Sequence, residues 1–421
     1  MNDLKYSNTV IINLIIVSII PFLIWGPFFP DLIVSSSSLF FLYYVLRHKN
    51  FNYFFNKPLI TFFIFCIYCI LLSIFVAEDT IFSLKSSLFY FRIGVFSCFI
   101  WYLIDKDKNI LNYFYHILIL CFSALVIDGY FQYLTGENLF GIKLTGHRVS
   151  SFFGDELIMG SYLSRLFPLL FALFLVKQKH KFEIYFIGIL FVLVDILIFM
   201  SSERTAFFFL NISTLFIIIL IKEYQKFRLV TFIIALCLIT IISINSPFLS
   251  DRMFKDPAKN MGLIKNQDDQ NFKKTIFTPA HDSLIRTAYN MFKDQPIFGH
   301  GPRMFRVICK DKKYATGIGP CMTHPHNFYI QLLAETGLIG FLFLFSVLIY
   351  VFYASLRQIK SIIFKQKRYL TDYQVCLLAG ILITIWPFRT NGNFYHNWLM
   401  VTYSLPIGFY LQSIYCKKTN N

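Results

Sequence analysis

Runs of about 17 to 25 predominantly apolar residues recur along the whole chain, separated by short polar breaks. Crossing about 30 Å of hydrocarbon takes close to 20 helical residues. The pattern therefore predicts twelve transmembrane helices near residues 7–25, 31–46, 59–76, 88–104, 112–134, 157–176, 183–200, 205–221, 229–246, 328–355, 372–388 and 397–415. The second of these is short and reads as tilted or partly re-entrant. The predicted class is all-α, a polytopic helical membrane protein. Helices one to nine occupy 1–246, one large loop occupies 247–327, and helices ten to twelve occupy 328–421. No internal repeat is visible. The first run lacks an A-x-A-like cleavage site, so it reads as a retained helix and not a signal peptide.

Composition reinforces this class. The 421 residues are 56% hydrophobic and only 15% charged, with a mean hydropathy of +0.59, whereas soluble domains carry about 25% charged residues. The 52 Phe and 25 Tyr suit lipid-facing bulk and interfacial anchoring. A net charge of +16 invites a nucleic-acid reading, but its distribution argues against one. With a cytoplasmic N-terminus, segments predicted inside carry nineteen Lys and Arg, Lys5, Arg228, Lys417 and Lys418 among them. Short outside loops carry five: Lys85, Lys143, Arg148, Arg204 and Arg389. Basic residues concentrate on cytoplasmic loops of membrane proteins, so both termini are expected in the cytoplasm and the 247–327 loop outside it.

That loop changes character along its length. Its first half, around KDPAKNMGLIKNQDDQNFKK, is polar and reads as loose chain. From His281 onward, Leu284, Ile285, Ala288, Met291 and Phe292 fall at helical spacing, and Pro296 ends the pattern. IFGHGPRMF then reads as a Gly/Pro turn leading into a second short helix. Cys309 and Cys321 are the two cysteines of the outer loop. They read either as a disulfide, which an oxidising compartment permits, or as two free thiols. The seven cysteines in or beside spans read as packing residues.

Charged residues in or beside spans are expensive and mark candidate sites. Arg204 stands at the outer mouth of span eight in SSERTAFF; alone it reads equally as a snorkelling interfacial arginine. Arg286 lies on the loop helix away from Leu284 and Ala288, where a solvated charge is the plain alternative. Arg148 opens another outer loop. Arg92 and Arg165 lie within spans four and six, with Asp128 and Asp195 as conceivable partners. At the entry to span ten, Pro325 disfavours helix for His324, and Asn327 suits an N-cap. A neutral imidazole at His326 can take a proton from an alcohol near neutral pH, with His324 a weaker candidate. No phosphate-binding G-x-x-x-x-G-K-[ST] loop, H-E-x-x-H or paired C-x-x-C spacing occurs. No metal or cofactor is therefore expected.

Three segments in order, SSERTAFF, LIRTAYNMFKDQPIFGHGPRMF and HPHNFYIQLLAETGLIGFLFL, resemble the signature of the O-antigen ligase and polymerase family of bacterial envelopes. The resemblance covers roughly 183 to 350. It implies an inner-membrane enzyme that transfers a glycan from an undecaprenyl-diphosphate carrier at the periplasmic face, without metal or ATP and with inversion. The acceptor would be lipid A-core in a ligase, the reading given slight preference, or a second lipid-linked glycan in a polymerase. Arg204 and Arg286 match arginines that engage the diphosphate, and His326 matches the histidine that activates the acceptor hydroxyl. Arg148, Arg165, His324 and Asn327 are supporting candidates. Two departures from the family pattern stand out: Glu203 is inserted before Arg204 and is a conceivable partner for it, and Tyr289 or Phe292 stands where the family commonly has tryptophan. A lipid-linked glycan flippase is the rival of another class.

Overall fold

The structure, a computed structural model, describes residues 6–177, 180–263, 277–388, 390 and 392–416. Lys5, Lys179, Arg389, Lys417 and Lys418, and the 264–276 part of the polar loop half, lie outside the described residues. The helices are α1 Tyr6–Val17, α2 Ile19–Trp25, α3 Phe28–His48, α4 Lys57–Phe75, α5 Thr80–Ser87, α6 Arg92–Lys106, α7 Asn109–Thr135, α8 Met159–Val176, α9 Lys181–Met200, α10 Arg204–Leu220, α11 Gln225–Asn245, α12 Pro247–Ser250, α13 Asp256–Asn260, α14 Pro279–Asp294, α15 Phe305–Ile308, α16 Phe328–Ile363, α17 Asp372–Thr384 and α18 Asn397–Tyr415. Each of the twelve apolar runs falls on helix. Eight described helical segments are long and apolar enough to cross a membrane, and Thr9–Trp25, Arg204–Leu220 and Asp372–Thr384 are apolar but shorter.

Local chemistry sets the helix ends. Asn56 caps α4 by accepting from Leu59 N, Asp79 caps α5 through Phe82 N, and Thr371 with Gln374 forms a capping box on α17. The first run divides into α1 and α2 because Pro21 has no N–H to give the Val17 carbonyl. α8 is mostly apolar and buried along nearly its whole length, the pattern of a central helix. It packs against α17, α10, α7 and α9, and so carries Arg165, near its N-terminal end, into the middle of the molecule.

Several pairings differ from the sequence expectation. Asp195 accepts two hydrogen bonds from Arg228, at 2.8 and 3.1 Å. Arg228 is thus a fully buried bundle residue and not a loop charge. Asp128 accepts from Leu139 N and from Ser151 Oγ, while Arg92 pairs with Asp31 at 2.6 Å.

The predicted loop helix is α14, packed against α16. With α15 it encloses a small apolar core of Leu284, Ala288, Met291, Phe305, Cys309, Tyr314 and Ala334. Cys309 and Cys321 are joined, their Cα atoms 5.1 Å apart.

Span ten is not one continuous helix: α16 breaks at Gly337, with φ 63° and ψ −164°. A break needs other partners for the freed backbone groups, and the glycine turn provides them. His300 N and Gly301 N donate to the Ala334 and Glu335 carbonyls at 3.0 and 2.8 Å, and Leu338 N donates to Pro296 O at 2.9 Å. Tyr68 Oη donates to Thr336 O. The approach is close enough that a Cβ on Gly337 would collide with Ile297 O, and one on Gly299 with the backbone of Glu335 to Gly337. The Glu335 carboxylate accepts from Phe305 N and from Gln331 Nε2. This joint fixes the loop to the bundle.

Candidate functional site

A cavity of 960 Å³ opens between the α14–α15 region and the adjoining helix ends. Its lining includes Arg92, Arg148, Arg165, Arg204, Arg252, Arg303, Arg306 and Lys85, against the carboxylates Glu156 and Glu203. Such an excess of guanidinium groups favours anions with planar or tetrahedral oxygen sets.

One group of cations is interlocked through backbone carbonyls. Arg148 Nε donates to Ser201 O, Arg252 Nε to Ser202 O, and Arg204 Nε to Arg252 O at 2.7 Å. Arg204 also faces Asp256 at 3.5 Å. Glu203 does not pair with Arg204. It accepts from Gly160 N, Ser161 N and Ser161 Oγ, and so closes the N-terminal end of α8. Burial pushes the Glu203 carboxyl up to about 7, against these hydrogen bonds and the Arg148 charge. Burial, and then the charge of Arg252, pushes the Arg148 guanidinium below its ordinary value.

Arg165 stands apart chemically. It is 6% exposed, with its guanidinium over the rings of Phe209 and Tyr403 at 5.1 and 5.6 Å. Its Nε and Nη1 have no hydrogen-bond partner among the described residues. Leaving buried donors unsatisfied costs about 1–3 kcal/mol each, more for charged groups, so such an arginine is poised for an incoming anion.

Three histidines gather on the other side of the lining. The His324 and His326 ring centroids are 4.1 Å apart, and those of His281 and His326 are 5.2 Å apart. Thr323 Oγ1 lies 2.8 Å from His324 Nδ1. Burial, and then His326, lowers the His281 imidazole below its usual range, favouring the neutral ring near pH 7. Asn327 caps α16, accepting from Tyr329 N and Ile330 N while donating to Pro387 O. Pro325 and this cap leave His326 in the left-handed region, φ 56°. Ser202 and Arg303, also on the lining, are left-handed at φ 56° and 62°. Non-glycine residues held there concentrate at functional sites.

The cavity unites Arg148, Arg165, Arg204, His324 and His326 of the sequence candidates. Arg286 is not among its lining residues: it is half exposed and bridges to Asp282 at 2.7 Å, one helical turn away. The α14 residue that reaches the cavity is His281, five positions earlier. His281, Arg252, Arg303, Arg306 and His396 had no sequence signal of their own. GPR, following the glycine turn, was the nearest hint for Arg303. No group of three or more His, Cys, Asp or Glu able to hold a metal occurs among the described residues.

Fold and cavity together define a multi-pass membrane protein with a cation-rich chamber at one end of its helical bundle. Residues 187–345 match the family model described as O-antigen ligase. The match runs from α9 through the glycine turn and past the break in α16, and the resemblance read from the sequence is borne out over that stretch. No curated protein matches the chain.

Proposed function

We propose that the chamber transfers a glycan from a polyprenyl-diphosphate carrier to an acceptor hydroxyl. The observation that carries this reading is Arg165, a buried guanidinium with unsatisfied donors, in one cavity with Arg204 and His326. The O-antigen ligase match over residues 187–345, which includes Arg204 and His326, supports it.

In this reading Arg165 and Arg204, with Arg148 and Arg252, hold the donor diphosphate. The guanidinium forks bind its oxygens and stabilise the negative charge as it leaves. Arg286, held by Asp282 outside the chamber, has no direct part. The lipid tail lies among the helices while the sugars extend beneath α14. His326 takes the proton from the acceptor hydroxyl, the oxygen attacks the anomeric carbon from the face opposite the diphosphate, and the C–O bond to the diphosphate breaks with its electron pair. The linkage inverts. Neutral His281 beside His326 avoids a like charge there. The chamber opens on the periplasmic side, both termini are cytoplasmic, and lipid A-core is the acceptor in the ligase form.

Reconstituted protein with a labelled lipid-linked glycan should form new glycosidic bonds without ATP and in EDTA. Label that crosses the bilayer with no new bond would mark a flippase instead.

A further inference from the structure

The chamber holds a second cationic group that the donor diphosphate does not account for. Arg303 Nη1 donates to Ser86 Oγ at 2.9 Å, and its guanidinium lies 4.4 Å over the Phe82 ring. Arg306 lies over the same ring at 5.7 Å and donates through Nε to Thr323 O. Lys85 joins them on the lining. The group is built on fixed elements: Ser83 Oγ donates to Pro302 O at 2.8 Å, tying α5 to the turn, and Arg303 is held left-handed immediately after it.

No ion pair to Lys85, Arg303 or Arg306 occurs among the described residues. The carboxylate whose charge reaches Arg303 is Glu335, and that group makes its hydrogen bonds to the backbone of Arg303 and Phe305 and to Gln331 rather than to the guanidinium. The charges that act on Arg148 are instead those of Arg252, Glu203 and Arg204. The two groups also rest on different parts of the chain, one on α5, the turn after α14 and α15, the other on α8, the start of α10 and the segments that hold Arg148 and Arg252. Arg306 links the second group to the histidines through Thr323, whose hydroxyl meets His324 beside His326.

Building on the transferase reading, we propose that Arg303, Arg306 and Lys85 bind a phosphate carried by the acceptor near its reacting hydroxyl. The leaving diphosphate occupies the Arg165 and Arg204 side. A neutral sugar has no use for three unpaired cations beside the base, whereas a phosphate ester does. That chemistry has two sources: the diphosphate of a second lipid-linked glycan, or phosphate on a lipid A-core acceptor.

The test uses the full chain in proteoliposomes with a fluorescent polyprenyl-diphosphate-linked glycan as donor. Acceptors are the same lipid-linked glycan, its free unphosphorylated glycan, and phosphorylated and dephosphorylated lipid A-core. At least one phosphorylated acceptor should have a KM tenfold or more below that of its phosphate-free counterpart, and the one used identifies the source. The Arg303→Asn/Arg306→Gln variant, whose asparagine tolerates the left-handed backbone, should erase that difference while the donor KM stays unchanged. Arg306→Lys alone should weaken it partially. Equal use of phosphate-free acceptors by the wild type, which needs no variant to fold, overturns the proposal. A shift confined to the donor KM overturns it too, since the group would then belong to the donor site. If the wild type forms no bond to any acceptor, the transferase reading itself falls.

Discussion

Two buried arginines of the bundle have opposite fates. Arg228 is fully enclosed and its charge is paired: Asp195 takes two hydrogen bonds, Thr214 Oγ1 a third at 2.7 Å, and the Phe167 ring lies 4.5 Å from the guanidinium carbon, which leaves Nε alone without a hydrogen-bond partner among the described residues. Arg165 lies two residues before Phe167 on the same central helix, with rings beside it but no carboxylate and two unsatisfied nitrogens. A buried charge that is paired serves architecture; one left with open donors at a cavity is kept for a ligand. Pairing is not confined to the outside of the chamber, since Arg92 bridges to Asp31 and Arg204 faces Asp256 on its lining; Arg286, closed onto Asp282, lies off that lining altogether.

The comparison can be broken most severely at these two arginines. Arg165→Met should lower transfer by about 10²–10³-fold, the scale for losing one charge-stabilising donor, while the folded yield holds. Arg228→Met should do the reverse. It strands Asp195 as an unpaired buried carboxylate, costing about 3–5 kcal/mol, so thermal stability in detergent falls while turnover per folded molecule survives. If Arg228→Met abolished turnover in a well-folded protein, the division would fail.

A smaller effect belongs to Glu203. Burial raises its folded pKa above the ordinary carboxylate value to about 7, so the folded state favours the protonated acid. The stability it contributes is complete below about 4.5, the usual carboxylate range, and is lost as pH rises through about 7. Its ionisation also brings a negative charge to the donor side, so donor KM should climb over the same interval. Glu203→Gln should flatten that limb, read from donor KM against pH; an unchanged profile would remove Glu203 from the site. The least effect is expected at Arg286→Ala: exposed i,i+4 pairs contribute only about 0.3–0.5 kcal/mol, and transfer should stay within about twofold of wild type.

How much was visible beforehand follows from which forces set each feature. The apolar runs carried the helices, since burial by lipid or protein makes the same local demand along α4, α7 or α9. Helix-forming spacing located α14, and Asn327 marked the start of α16. The break at Gly337 was not legible, because its cause is the backbone of Pro296 to Gly301, brought against it by tertiary packing. Partner choice was equally hidden: Asp195 sits 33 residues from Arg228, and the expected pairing with Arg92 or Arg165 had only shared depth to support it. Arg286 was favoured through the family resemblance, since its charge alone read as a solvated one, whereas the face of α14 that turns to the cavity is fixed by Leu284, Ala288 and Met291 packing beneath.

The central claim, that His326 activates an acceptor hydroxyl beside a diphosphate held by the chamber arginines, is tested most directly by single-turnover transfer in proteoliposomes with His326→Asn. Asparagine accepts the left-handed backbone at this position but has no basic nitrogen. With donor binding retained, formation of the new glycosidic bond should slow by about 10²–10⁴-fold, the range for a lost general base. Bond formation at the wild-type rate would contradict the account.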